Sequence, residues 1–233
     1  MNNTALLRVA AVVLAGLATT ACSTSERFAP SLAYAPAPRI SPEAERMYAA
    51  MSDGGWEIPA ADPSSADPRN VRQVVSFDTP EPVGTVVVDP RAHFLYLVME
   101  DGRAMRYGVG VGKAGLEFTG EGIIQRKAAW PRWTPTPDMI AREPEKYGGE
   151  LRNGMPGGIE NPLGARALYL FKDGQDTLFR IHGTNQTWSI GRSVSSGCIR
   201  MLNQDVIDLA NRVPAKTRVV VLATPSVQQD GMS

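Results

Sequence analysis

Short runs of β-branched and aromatic residues recur along most of this chain, at residues 71–77, 85–88, 94–98, 105–111, 167–171, 177–181 and 218–223. Each is of strand rather than helix length, and turn formers stand between them: Asp89-Pro90, Glu100-Asp101-Gly102 as a hairpin turn, and Lys172-Asp173-Gly174-Gln175-Asp176. Convincing helical periodicity occurs once inside this region, where Asn203 as N-cap and Asp205 precede Val206, Ile207, Leu209 and Ala210. Spaced strands with one short helix exclude a doubly wound α/β fold and give a mainly β body, a sandwich or barrel-like sheet, over residues 71–224. Residues 130–159, with Trp130, Trp133, three prolines between 131 and 137 and Pro156-Gly157-Gly158, read as a long irregular loop. A loop of that length in a compact domain is usually functional, and Trp133 is expected to help wall a substrate cleft.

The flanks read differently. Residues 1–21 carry one cation, Arg8, an apolar run over 9–18 and Thr19-Thr20-Ala21 before Cys22. A run that short is a signal peptide rather than a span. Small residues ending at Ala21 resemble the processing site of bacterial lipoproteins, in which the cysteine is acylated, although Thr19 stands where that pattern usually has Leu; the alternative is plain secretory cleavage with Cys22 incidental. By the same resemblance, Ser23 after Cys22 points to an outer-membrane anchor facing the periplasm. Residues 22–70 are rich in Pro, Ala and Ser and read as an extended tether, interrupted by a short helix over 42–51 that Ser41-Pro42-Glu43 would start. Residues 225–233 read as a flexible tail.

Composition then eliminates several chemistries. With 24 basic and 24 acidic residues the net charge is zero, which gives no electrostatic footprint for nucleic acid. The glycines at 108, 110, 112 and 115 superficially resemble a phosphate loop. A true one needs Gly where Tyr107 stands and Ser or Thr where Ala114 stands, so no nucleotide is expected and the stretch reads as a strand packed closely on neighbouring backbone. The chain has two histidines, His93 and His182, and two cysteines, Cys22 and Cys198, too few for a structural zinc site; neither metal nor cofactor is implied.

What remains is Ile181-His182-Gly183-Thr184 and Ser195-Ser196-Gly197-Cys198-Ile199-Arg200, whose cysteine lies sixteen residues after the histidine. An ordinary thiol is mostly protonated at neutral pH and needs a neighbouring base, a part His182 can take. Gly183 lets the chain turn so that a carbonyl holds the imidazole, and Gly197 lets backbone N–H groups approach a developing oxyanion. These are the parts of an acyl-transfer site. Each residue alone also fits a buried cysteine or a satisfied core histidine.

At these residues the chain resembles the L,D-transpeptidase family of bacterial cell-wall enzymes, whose signature joins a His-Gly pair to Ser-His-Gly-Cys followed by an apolar residue and Arg or Asn. The likeness extends through Val87-Val88-Asp89, Leu95-Tyr96-Leu97, Tyr107 to Gly112 and Asn161-Pro162-Leu163-Gly164. It implies a β-sandwich of that family's type, peptidoglycan stem peptides as donor and acceptor, Cys198 as nucleophile, His182 as base oriented by the Gly183 carbonyl, and an oxyanion held around Gly197 and Cys198. Ser195, Ser196 and Trp133 would meet substrate, while Arg200 would either bind a substrate carboxylate or hold the loop. The chain departs from the pattern at Ser196, where many relatives have His; a serine hydrogen-bonds but carries no proton near neutral pH. Three functions stay open: a transpeptidase, a hydrolase on the same scaffold, and a lipid-anchored wall-binding module without catalysis.

Overall fold

The computed structural model describes residues 41–65, 67–113 and 118–223. The signal peptide over 1–21, Cys22, the tether as far as residue 40 and the tail over 225–233 lie outside the described residues. In chain order the elements are α1 (Pro42–Met47), β1 (Met51–Asp53), β2 (Trp56–Ile58), β3 (Gln73–Ser76), β4 (Val86–Asp89), β5 (Phe94–Val98), β6 (Arg103–Gly108), β7 (Val111–Gly112), β8 (Gly120–Ala129), α2 (Pro137–Arg142), α3 (Pro144–Tyr147), β9 (Arg166–Lys172), β10 (Gln175–His182), β11 (Ser193–Ser195), β12 (Ile199–Arg200), α4 (Asn203–Arg212) and β13 (Thr217–Val221).

The body is mainly β, as expected. Nine strands form one sheet in the order β12-β10-β9-β8-β13-β4-β5-β6-β3, with parallel pairings at β10–β12 and β13–β4. Asp101 and Gly102, both at positive φ, make the β5–β6 turn, and Asp173 and Gly174 do the same between β9 and β10. Paired left-handed residues match the twist of a two-residue hairpin, which is why Asp-Gly stands at both places. A single core takes Leu95 and Tyr107 from one half of the sheet and Leu168, Ile181 and Ile199 from the other. The sheet therefore curls over on itself, and reciprocal backbone bonds between Gly110 and Arg200 link its two halves.

Helix α4 fills this curl with Val206, Leu209 and Ala210. Its N-cap is Leu202 rather than Asn203. The Asn203 side chain turns inward instead, accepting from the Ala165 N–H at 2.9 Å. At the other end Lys127 donates to the carbonyls of Ala210 and Val213, both at 2.7 Å, supplying a cation where the helix leaves its last acceptors open. Lys127 lies on β8, a strand the sequence reading left out because Glu121, Gln125, Arg126 and Lys127 give it a polar face.

Two expectations need correction. Residues 130–159 are not uniformly irregular, since α2 and α3 lie within them, so the domain holds more than the one helix expected. The tether does not extend to residue 70 either. The helix expected over 42–51 is present but shorter, and from Ser41 onward the segment folds against the body. Tyr48 packs with Ile190 and Leu202, and Ile58 packs with Ala165 and Ile207. Asp53 forks onto Arg166 at 2.7 and 2.8 Å and accepts from Trp130 Nε1 at 2.8 Å, and Arg166 holds the Asp53 carboxyl below its usual range. Composition hid this because a few anchors in a Pro- and Ala-rich stretch are enough to fix it.

Among the described residues no helix is long and apolar enough to cross a membrane.

Candidate active site

His182 ends β10 and is 5% exposed. Its Nδ1–H donates to the Gly183 carbonyl at 2.5 Å, which leaves Nε2 as the acceptor. Gly183 has little latitude: its N–H donates to Arg166 O at 3.0 Å, and a Cβ there would lie 2.2 Å from Asn203 Oδ1. Asn203 is thus a positioning residue that a cap reading missed, tying the 164–165 and 183–184 backbones together behind the histidine.

Cys198 reaches the site by a tight turn. Gly197 has φ 129°, a conformation that suits glycine alone. Ser195 closes the turn, donating to the Cys198 carbonyl at 2.6 Å and accepting from the Gly197 N–H at 3.1 Å. Ser195 is 2% exposed, and these two bonds commit its hydroxyl hydrogen and one acceptor position to holding the turn. The second bond occupies the Gly197 N–H, whereas among the described residues the Cys198 N–H takes part in no turn, loop or cap bond. The turn is seated on β7, where Ser195 pairs with Gly112, and the close approach read from the glycines is real: a Cβ on Gly110 would stand 2.5 Å from Ser189 O.

These groups share one cavity of about 570 Å³, lined by Trp133, Ser195, Ser196, His182, Cys198 and Arg200 among others, a size that admits a peptide-sized ligand. The 130–159 loop supplies one wall, as expected. Trp133 is 8% exposed and packs on Tyr147 and Leu163, so it builds the wall more than it reaches into the cleft. Arg200 donates to Gln186 Oε1 at 2.9 Å, which satisfies the loop-holding role; it lines the cavity as well. Sequence reasoning missed Leu178 and Tyr147, also in the lining, because neither belongs to a motif.

Electrostatics set the resting state. Burial lowers His182 to about 4, against the pull of the Gly183 carbonyl, with the Arg200 and Arg180 charges adding to the fall. Burial pushes the Cys198 thiol up, opposed by the Arg180 N–H and the charges of Arg180 and Arg200. Sγ donates to the Leu178 carbonyl at 3.9 Å rather than to His182. The pair therefore rests as neutral thiol and neutral imidazole. Two pH responses follow. Alkylation of Cys198 by iodoacetamide, followed by mass spectrometry, is expected to keep accelerating above about pH 8.5, the ordinary thiol value. The acid limb of kcat/KM is expected near pH 4, where the imidazole takes up a proton. A plateau in alkylation by pH 7 would instead indicate a resting ion pair.

A curled mainly β domain with a cysteine and a carbonyl-held histidine on the wall of one cavity has the parts of an acyl-transfer site. The YkuD family model, L,D-transpeptidase catalytic domain, matches residues 84–221, and this chain belongs to that family. It is 37% identical over 143 residues to a probable L,D-transpeptidase ErfK/SrfK of Escherichia coli, covering 60% of this chain and 44% of that one. It is 39% identical over 121 residues to a probable L,D-transpeptidase YbiS of the same species, covering 50% and 37%. The matches thus span less than half the length of these relatives. A solved structure from Brucella melitensis, described as a probable carnitine operon oxidoreductase, is 53% identical with a TM-score of 0.46, the match covering 69% of this chain and all of that one.

Proposed function

We propose that this protein is a peptidoglycan L,D-transpeptidase of the periplasm, secreted by residues 1–21 and held to the outer membrane by lipid on Cys22. The observation that carries the catalytic reading is the placing of Cys198 and a neutral, carbonyl-held His182 on the wall of one peptide-sized cavity.

In the first half-reaction Cys198 Sγ leaves the Leu178 carbonyl, gives its proton to His182 Nε2 and attacks the carbonyl carbon at the L-centre of the third residue of a stem tetrapeptide. The oxyanion is held by the Cys198 N–H. Collapse breaks the amide bond, His182 returns the proton to the leaving nitrogen, and D-Ala departs, leaving a thioester. In the second, the side-chain amine of another stem gives a proton to His182 and attacks the thioester. Sγ leaves and recovers its proton, and a 3→3 link between third residues is formed. Ser196 plays no part in proton transfer, and His182 alone serves both half-reactions. An acceptor amine on a protein would use the same steps, and water in its place would give a hydrolase.

The test is purified protein incubated with tetrapeptide-containing muropeptides, with and without an acceptor, and the products weighed. Dimers of 3→3 type with loss of D-Ala are expected, abolished by Cys198→Ala. Tripeptide alone, whatever the acceptor concentration, would assign the hydrolase. Unchanged substrate would refute the reading, as would undiminished product from Cys198→Ala.

A further inference from the structure

Strand β10 breaks its register beside the nucleophile. Asp176 and Arg180, four residues apart, face Phe171 and Tyr169, two apart, so β10 carries two extra residues and bulges between them. Leu178 at the crest has φ 64°, a conformation unfavourable for a branched apolar residue, and its side chain is 53% exposed. The strain is held by specific bonds. Asp176 accepts from the Leu178 N–H at 2.9 Å and from both Arg180 guanidinium nitrogens, at 2.7 and 2.9 Å. Thr177 Oγ1 donates to Leu170 O at 2.6 Å and accepts from the Phe179 N–H at 3.2 Å. Arg180 also lies over the Tyr169 ring, 4.3 Å from its centroid.

The other side of β10 faces the catalytic loop. β10 and β12 run parallel with Ile181 opposite Ile199 and His182 opposite Arg200, so one step back along both strands Arg180 stands opposite Cys198. The bulge therefore brings the Leu178 carbonyl to the sulfur, where it accepts from the thiol at 3.9 Å, and turns the Arg180 N–H to the side on which it favours the thiolate. The Arg180 guanidinium, folded back by Asp176, adds positive charge near the same atom. His182 and Arg200 line the same cavity, as do Asp138, Arg142, Lys146 and Glu160 of the neighbouring loop.

We propose that the Asp176–Arg180 bulge seats and tunes the nucleophile: the Leu178 carbonyl parks the protonated sulfur, and the Arg180 N–H and guanidinium receive it as thiolate, while the Asp176 carboxylate caps the Leu178 N–H and offsets part of the guanidinium charge. A carbonyl acceptor favours S–H and a donor with a positive charge favours S⁻, so the two ends of one bulge serve the two protonation states of one atom. This rests on Cys198 being the nucleophile of the reaction above, but its test uses no stem peptide, so either idea can fail alone.

The experiment measures the iodoacetamide alkylation rate of Cys198 from pH 6 to 10 in the full chain, read on the Cys198 peptide by mass spectrometry so that Cys22 does not intrude. Arg180→Gln removes the cation and is expected to slow alkylation at pH 7.5 by about threefold to tenfold and to move the profile to higher pH, tenfold being one unit of thiol pKa. Asp176→Asn keeps an acceptor for the Leu178 N–H but removes the charge that offsets the guanidinium, and is expected to speed alkylation at the same pH by about two- to threefold. Opposite signs are the signature, since loss of packing alone would not separate the two. Profiles that overlay the wild type in both variants would overturn the proposal, as would shifts of the same sign. If Arg180→Gln does not fold, Asp176→Asn decides alone: faster alkylation upholds the proposal, and equal or slower alkylation overturns it.

Discussion

His182→Gln is expected to slow acyl-enzyme formation by about 10²–10⁴-fold, the usual range for loss of a positioned general base, while leaving the fold intact. Glutamine approximates the imidazole in size and can still donate to the Gly183 carbonyl, so the cavity keeps its shape. It cannot take the thiol proton. The effect is large because no second group stands in: Ser196 is not a base near neutral pH, and burial pushes Cys198 away from spontaneous ionisation. The measurement is single-turnover thioester formation followed by intact mass, beside a thermal melt. A loss of less than about tenfold at an unchanged melting temperature would mean that the proton leaves by another route.

Tyr48→Ala is expected to cost about 3–5 kcal/mol of stability, a fall in melting temperature on the order of 10 °C. Tyr48 is 1% exposed in the segment first read as tether. Its hydroxyl donates to Asp205 Oδ1 at 2.9 Å and accepts from the Arg72 N–H at 2.8 Å. Asp205 is wholly buried in α4, and burial raises its carboxyl to about 7. Removing Tyr48 leaves a cavity against Ile190 and Leu202 and deprives that carboxyl of one of its few donors. Tyr48→Phe removes the hydroxyl alone and is expected to cost about 1–3 kcal/mol. If the alanine variant melts within about 2 °C of wild type, residues 41–70 are an accessory strap rather than part of the folded domain.

How much of this was legible in the sequence varies with the kind of signal. Strand runs and Asp-Gly turns are local, and they located β4, β5, β6, β9 and β13 and two hairpins. His182, Gly183, Gly197 and Cys198 were legible because the chemistry of a thiol nucleophile demands those residue types. β8 was not, since a strand with one face packed and the other carrying Arg and Lys has no marked apolar run. The packing of residues 41–70 was hidden because their anchors, Tyr48, Asp53 and Ile58, are single residues whose partners lie far along the chain. Ser195 looked like a substrate contact because it sits in the motif, and only geometry shows both its bonds spent on the turn. The β10 bulge was invisible for a similar reason: residues 177–181 read as an ordinary strand, and the register shift arises from pairing with β9.

The central claim is that Cys198 becomes acylated by a stem peptide with His182 as its base. It is tested most directly by rapid quenching of the purified protein with a tetrapeptide stem at pH 7.5 and peptide mapping of the adduct. The expected result is the stem tripeptide joined through a thioester to Cys198, released D-Ala in equal amount, and an adduct strongly reduced in His182→Gln. A stem consumed with no adduct on Cys198, or an adduct formed equally fast without His182, would contradict it.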